Sequence, residues 1–262
     1  MKAQLTILGS RSGEPGSWGA TAGYLVQYQN TTVLLDCGFG IPQILKTKNL
    51  LYTIDVLVIS HLHADHVAGL LTLAYIYRIQ KPSAKKVLVL LPPDGIKFIK
   101  KWQSLFSINS YPPLKAPFED AFELQEYKED IFNFQKMQFK FCLLKHAIPN
   151  YGLRLSGENW SLTYSGDTAF CDQIIALADG SNIFLCEATY VEEKQEIIFG
   201  HGHLTGIDAG IIAKQAKVKH LVLTHFSQES KEWLRILKKD ASLNFTGTID
   251  LALPGTTFIT QP

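Results

Sequence analysis

Apolar residues recur along this chain in two rhythms, every second position and every third or fourth, and the order of the rhythms is the first constraint on the fold. Residues 4–8, 24–28, 32–36 and 55–60 read as strands, the middle two joined by the polar turn Gln29-Asn30-Thr31, and residues 67–79 then carry a helical apolar pattern. Residues 87–91 form a further strand. Between Pro92 and Pro117 the composition is loop-like, yet Ile96, Ile99, Trp102 and Phe106 recur at helical spacing, which predicts a short helix, either a lid or an element packed on the core. Alternation resumes at 132–144, 152–155 and 161–164. A helix from about Thr168, a strand at 183–186, a helix from Thr205, a strand at 221–224 and a helix from Glu229 follow. Each half therefore runs from strands to helices. The arrangement that covers both outer sheet faces is an α/β fold with two stacked sheets and helices outside, an αββα four-layer sandwich. One domain over residues 1–262 accommodates it, with 92–117 as a lid or insert within it.

Composition narrows the class without naming a ligand. Hydrophobic residues make up 46% and charged residues 19%, the balance of an ordinary globular chain with no disordered tail. The net charge of +1 and the short lysine pairs (85–86, 100–101, 238–239) lack the basic stripe of a protein that lives on phosphate-backbone contacts. Cys37, Cys142, Cys171 and Cys186 lie far apart with no C-x-x-C pair, so they read as small core residues in a reducing compartment. Residues 1–9 alternate as a strand and lack a signal-peptide core, and no apolar run approaches a membrane span. A cytoplasmic location is the expectation.

The chemistry is concentrated in His61-Leu62-His63-Ala64-Asp65-His66, four metal-ligating side chains in six residues, directly after the apolar run 55–60. Capping of the next helix would use one side chain and leave three unexplained. Imidazole with carboxylate suits zinc, and to a lesser degree manganese or iron, rather than calcium or magnesium. Four ligands from one loop cannot saturate two metals, and three more candidates fall at strand ends in the second half: His146, Asp167 and His225. Asp167 is also a good helix N-cap, so it is the shared strand-end position that counts.

These residues, with Asp36 in Leu34-Leu35-Asp36-Cys37-Gly38, match in order the five motifs of the metallo-β-lactamase superfamily, which the chain resembles over nearly its whole length. The resemblance implies two divalent ions, one held by His61, His63 and His146, the other by Asp65, His66 and His225, with Asp167 bridging and Asp36 supporting the ligand loops. It also implies a metal-bridging hydroxide as nucleophile, with Asp65 helping to orient it. His63 stands where the flavodiiron branch has a carboxylate, which favours hydrolysis over redox chemistry.

Cys186-Glu187-Ala188-Thr189 and Gly202-His203-Leu204-Thr205 resemble the ribonuclease Z branch. There a Glu and a His pair beside the metals, so Glu187 would orient His203 as general acid. His201 and His220 lack such a partner and read as structural or surface residues. Two features depart from the branch. Only 21 positions separate His146 from Asp167, too few for the arm that grips transfer RNA, and Cys186 replaces the His that usually precedes the Glu. The chain is therefore most similar to armless phosphodiesterases acting on small or cyclic phosphodiesters. A transfer-RNA 3′-end endonuclease, with RNA contacts from a second subunit of a homodimer, is the alternative. A hydrolase of another ester class (lactone, thioester, sulfate ester or β-lactam) is a third reading. Residues 11–18 and 92–117 are expected to rim the pocket.

Overall fold

The computed structural model describes residues 1–81, 83–191 and 202–260. Its first half holds β1 (Gln4–Arg11), β2 (Ala20–Thr21), β3 (Gly23–Tyr28), β4 (Thr31–Leu35), α1 (Ile41–Thr47), β5 (Val56–Val58), α2 (Ala64–Val67), α3 (Gly69–Gln80), β6 (Val87–Leu91), α4 (Gly95–Phe106), α5 (Pro117–Ala121) and β7 (Phe122–Glu126). The second half holds β8 (Ile131–Phe134), β9 (Met137–Leu144), β10 (Asn150–Gly157), β11 (Trp160–Tyr164), α6 (Asp172–Ala178), β12 (Ile183–Glu187), α7 (Gly206–Gln215), β13 (His220–Thr224), α8 (Lys231–Ser242), β14 (Thr248–Leu251) and β15 (Thr257–Ile259).

Two sheets result. One runs β15-β1-β3-β4-β5-β6-β7 with β2 beside β1, and the other runs β14-β13-β12-β11-β10-β9-β8. In each, antiparallel hairpins give way to parallel strands, at β4 in the first sheet and at β11 in the second. Parallel neighbours need crossover connections, and these supply the outer helices.

The sequence alternation explains the layering, because successive side chains of a strand point to opposite faces. In β5, Val56 and Val58 join the core between the sheets while Leu57 faces the helical layer with Leu70, Leu73 and Phe118. In β12, Ile183 and Leu185 face inward whereas Phe184 and Cys186 pack outward on Ile212, Ala213 and Leu237. Strands apolar on both faces must be covered on both, which yields the four layers of an αββα sandwich. Phe139 is fully buried between the sheets. Phe139→Ala is expected to lower the unfolding free energy by about 3–5 kcal/mol, read from the urea midpoint at unchanged slope; an unchanged midpoint would contradict this packing.

Most predicted elements are present, and the differences have identifiable causes. The strand expected over 132–144 is two strands, broken at Gln135, whose φ of 55° turns the chain back. The helix expected from Thr168 begins at Asp172, and the segment ahead of it is held by the Thr168 and Ala169 N–H groups donating to Glu187 Oε1 and Lys145 O. Among the described residues, seven elements, β2, α1, α2, α5, β7, β14 and β15, were not legible in the pattern. Within residues 92–117, α4 buries Ile99 and packs Ile96, Phe98 and Trp102 against the outer core, the Trp102 ring lying 5.4 Å from that of Phe118. Cys37 and Cys186 are buried, Cys142 and Cys171 half-buried, and all four are free thiols. Among the described residues, no helix is long and apolar enough to cross a membrane.

Candidate active site

Parallel strands share an edge at their carboxyl ends, which is where open α/β sheets assemble sites. Asp36 follows β4, the His61 loop follows β5, His146 follows β9, Asp167 follows β11, Glu187 closes β12 and His225 follows β13. The candidate ligands, with Glu187, therefore sit at the facing edges of the two sheets, and His203 joins them from the turn before α7.

Their donor atoms form two groups with Asp167 in common: His61, His63, His146 and Asp167, and Asp65, His66, Asp167 and His225. In the first, His63 Nδ1 lies 3.1 Å from both His61 Nε2 and His146 Nε2, and His61 Nε2 is 3.6 Å from Asp167 Oδ2. In the second, His225 Nε2 lies 3.3 Å from His66 Nε2, from Asp65 Oδ2 and from Asp167 Oδ2, while His66 Nε2 is 3.3 Å from Asp167 Oδ1.

The partners on the far side of the rings decide what these contacts are for. His146 Nδ1 donates to Gly202 O at 2.9 Å and His66 Nδ1 to Asp36 Oδ2 at 2.7 Å. Ser60 Oγ donates its own proton to Asp36 Oδ2, so it accepts from His61 Nδ1 at 3.0 Å. Thr189 Oγ1 donates to Glu187 Oε2 at 2.7 Å and so accepts from His225 Nδ1 at 2.8 Å. A neutral imidazole has one N–H, and in these four rings it points outward, leaving the Nε2 lone pairs to converge. The Nε2 lone pairs of His66 and His225, meeting at 3.3 Å with no proton between them, call for a cation. Buried Asp167 Oδ1, which lacks a hydrogen-bond partner, points the same way. The donor set fits divalent metal ions.

The electrostatics agree. Burial, then the neighbouring rings, hold His61 well below the ordinary imidazole range, and burial depresses His63 and His146 similarly, which keeps them neutral as ligands must be. Burial alone would raise the Asp167 carboxyl, but His225, His66 and His61 outweigh it and hold it well below the usual range. Burial likewise would lower His66, yet Asp167 and Asp36 hold it well above the ordinary range, so the same carboxylates draw positive charge to its Nε2, a proton or, in its place, a metal ion.

Glu187 and His203 form the second constellation. His203 Nδ1 lies 3.1 and 3.2 Å from the two Glu187 oxygens, and the buried carboxylate also accepts from Thr168 N–H, Leu204 N–H and Thr189 Oγ1. Burial opposes charge on His203, but Glu187 prevails and raises it to about 9. The His203 ring stacks on His225 at 5.3 Å and lies 5.2 Å from His146, beside both donor groups. It is placed by the start of α7, where Thr205 and Asp208 form a capping box. It is placed also by Gly202, whose φ of 72° and approach to His146 Cα leave no room for a Cβ. Cys186 is buried with its sulfur on Glu187 O, outside the Glu187–His203 contact.

Sequence reasoning missed the supporting hydroxyls. Asp36 accepts from Ser60 N–H, Ser60 Oγ and His66, and also from Tyr164 Oη at 2.7 Å, which reaches across from the other sheet. Ser60 and Thr189 adjoin quoted motifs and were discoverable as neighbours, whereas Tyr164 carried no local signal. His220 pairs with Asp250 at 3.0 Å at the opposite end of β13, in keeping with its structural reading; His201 lies outside the described residues.

Comparison with known proteins agrees with this geometry. An uncharacterized protein of Mycobacterium tuberculosis is 32% identical over 86% of this chain and 81% of its own length. The ribonuclease Z of Ignicoccus hospitalis is 25% identical over 91% of this chain and 92% of its own. The crystal structure of the metallo-β-lactamase fold protein YhfI from Bacillus subtilis superposes with a TM-score of 0.85 at 20% identity, covering 99% of this chain and 100% of that one. The family profile described as the beta-lactamase superfamily domain matches residues 31–226. With three quarters of its length inside that profile and its strand-end histidines and aspartates gathered at one edge, the chain belongs to the beta-lactamase superfamily.

Proposed function

We propose that this chain is a phosphodiesterase of small or cyclic phosphodiesters that works with two divalent ions, most simply zinc. The observation that carries the reading is the pair of donor groups sharing Asp167 with the Glu187–His203 pair stacked alongside. His61, His63 and His146 would hold one ion, Asp65, His66 and His225 the other, and Asp167 both. When bound, such a pair supplies a water of lowered pKa and stabilises the attacking and leaving oxygens of an in-line displacement.

The remaining steps belong to the chain's own residues. Asp65, fixed by the Gly13 N–H at 2.8 Å, orients the attacking water through its carboxylate. His203 faces the substrate with Nε2 while Nδ1 stays on Glu187, so a proton is available there for the departing alkoxide. Glu187 keeps that imidazolium charged beside the ion sites, where it would otherwise lose its proton. His203 in its charged form also binds a phosphoryl oxygen as it gains charge.

The short His146–Asp167 connection supports small substrates. It contains β10, β11 and their turns, with no inserted arm. The relatives named ribonuclease Z favour a second reading, cleavage of precursor transfer RNA at the 3′ end. A metal-analysed preparation assayed on a chromogenic phosphodiester, a cyclic nucleotide, precursor transfer RNA, a sulfate ester and a β-lactam separates the readings. The expected result is two ions per chain and fastest turnover on the phosphodiester or cyclic nucleotide. Faster cleavage of the RNA would install the second reading, and turnover confined to the sulfate ester or β-lactam would overturn both.

A further inference from the structure

The segment between β1 and β2 touches the site at one point only, yet it is anchored at both ends to the residues that follow His225. At its start, Ser12 N–H donates to Phe226 O at 3.0 Å, and buried Arg11 donates to the same carbonyl through Nη1 at 2.8 Å. Phe226 N–H returns a bond to Ser10 O at 2.8 Å. At its far end the Glu229 carboxylate closes the segment. Oε2 accepts from Ser17 N–H at 3.0 Å and Ser17 Oγ at 2.7 Å, while Oε1 accepts from Trp18 N–H at 3.0 Å and lies 3.5 Å from Arg11 Nε. A Cβ at Gly16 would stand 1.7 Å from Glu229 Oε1, so any larger residue there would displace the carboxylate from the loop. Between the two anchors, Gly13 N–H donates to Asp65 Oδ2, the oxygen that faces His225 Nε2 at 3.3 Å.

We infer that residues 12–18 are a clip joining the His225 segment to Asp65, and that Glu229 is the positioning residue that closes it and sets the affinity of the ion held by Asp65, His66 and His225. The inference rests on the two-ion reading above. Its physical basis is rigidity. Asp65 and His225 come from opposite sheets and distant parts of the chain, and a ligand pair binds a metal tightly only when it is held in geometry beforehand. Gly13 is exposed, held on one side by Ser12 and by the Glu14 N–H to Ser12 O turn at 2.8 Å, while the rest of the exposed segment leads to the Glu229 anchor, so fixing that far end narrows the position of its amide on Asp65. Three of the four contacts at the far end go to backbone or side-chain donors of Ser17 and Trp18, and all four converge on one side chain. The His61, His63 and His146 group has no contact with the clip, so its ion should be indifferent to Glu229.

The test is calorimetric titration of zinc into the chelator-stripped full chain, for wild type, Glu229→Ala, Glu229→Gln, Asp65→Ala and the Asp65→Ala/Glu229→Ala double variant. In Glu229→Ala the dissociation constant of one ion should rise about tenfold, the scale of a lost ligand-supporting contact, with the other unchanged. Glu229→Gln keeps an acceptor oxygen for the loop donors and should recover most of that loss. In the Asp65→Ala background, removing Glu229 should change nothing further, since its effect runs through Asp65. Wild-type affinities for both ions in Glu229→Ala would overturn the inference. So would an equal weakening of both ions together with a lowered melting temperature, which marks a merely structural staple. Wild type binding fewer than two ions would overturn the two-ion reading itself, whatever the variants do.

Discussion

Asp167→Ala is expected to lose or scramble both ions at once and to abolish hydrolysis, because Asp167 is the single side chain shared by the two donor groups. Its Oδ2 faces His61 and His225 while its Oδ1 faces His66, so no other residue can span the pair. Lewis-acid stabilisation and water activation are each worth several kcal/mol, and each ~1.4 kcal/mol is a tenfold change in rate. The fall in kcat/KM should therefore be on the order of 10³-fold or more. Metal analysis by plasma emission and far-ultraviolet dichroism on the same sample decide the cause. Retained fold with metal below one ion per chain is the expected outcome. A folded variant with two ions and near-normal turnover would remove Asp167 from the site.

His203→Ala carries the second large effect and acts on a different quantity. Its ring contributes no donor to the two groups that share Asp167, so both ions should stay while kcat falls by about 10²–10⁴-fold, the usual worth of a positioned general acid. KM should change much less. The signature of proton donation is leaving-group dependence. An ester that expels a stable phenolate needs little help and should lose least, whereas one that expels an alkoxide should lose most. Glu187→Gln should show the same ranking at smaller amplitude, since the ring remains but its orientation and charge are no longer held by the carboxylate. Loss of an ion in His203→Ala would instead make His203 a ligand, a reading its proximity to Glu187 and His225 allows to be checked directly.

Much of this was open to inspection in one dimension. The His61 loop announced itself because four ligands fall within six residues after a buried strand, a density that capping does not explain. The helix expected from Thr205 on its periodicity is opened there by a local capping box of Thr205 and Asp208. Other elements were invisible for equally local reasons. β7 and β14 each expose or half-expose most of their side chains, so neither apolar alternation nor an apolar run marks them. The helix expected at Thr168 starts only at Asp172, and the Thr168 amide is held instead by a distant carboxylate, Glu187.

The linear chain carries the inventory and its spacing: which strands are apolar on both faces, and which residues capable of ligation stand at their ends. Those are properties of the covalent chain and its short-range periodicity. Which nitrogen of His66, His146 and His225 turns inward was settled by packing, because Asp36, Gly202 and Thr189, the partners that hold the other nitrogen, stand 30, 56 and 36 positions away in sequence. Tyr164 holding Asp36 across the sheets, and Gly13 holding Asp65, are likewise contacts between segments that no period relates. A hydrogen bond depends on distance and direction in space, and neither is written in the order of residues until the two sheets have packed.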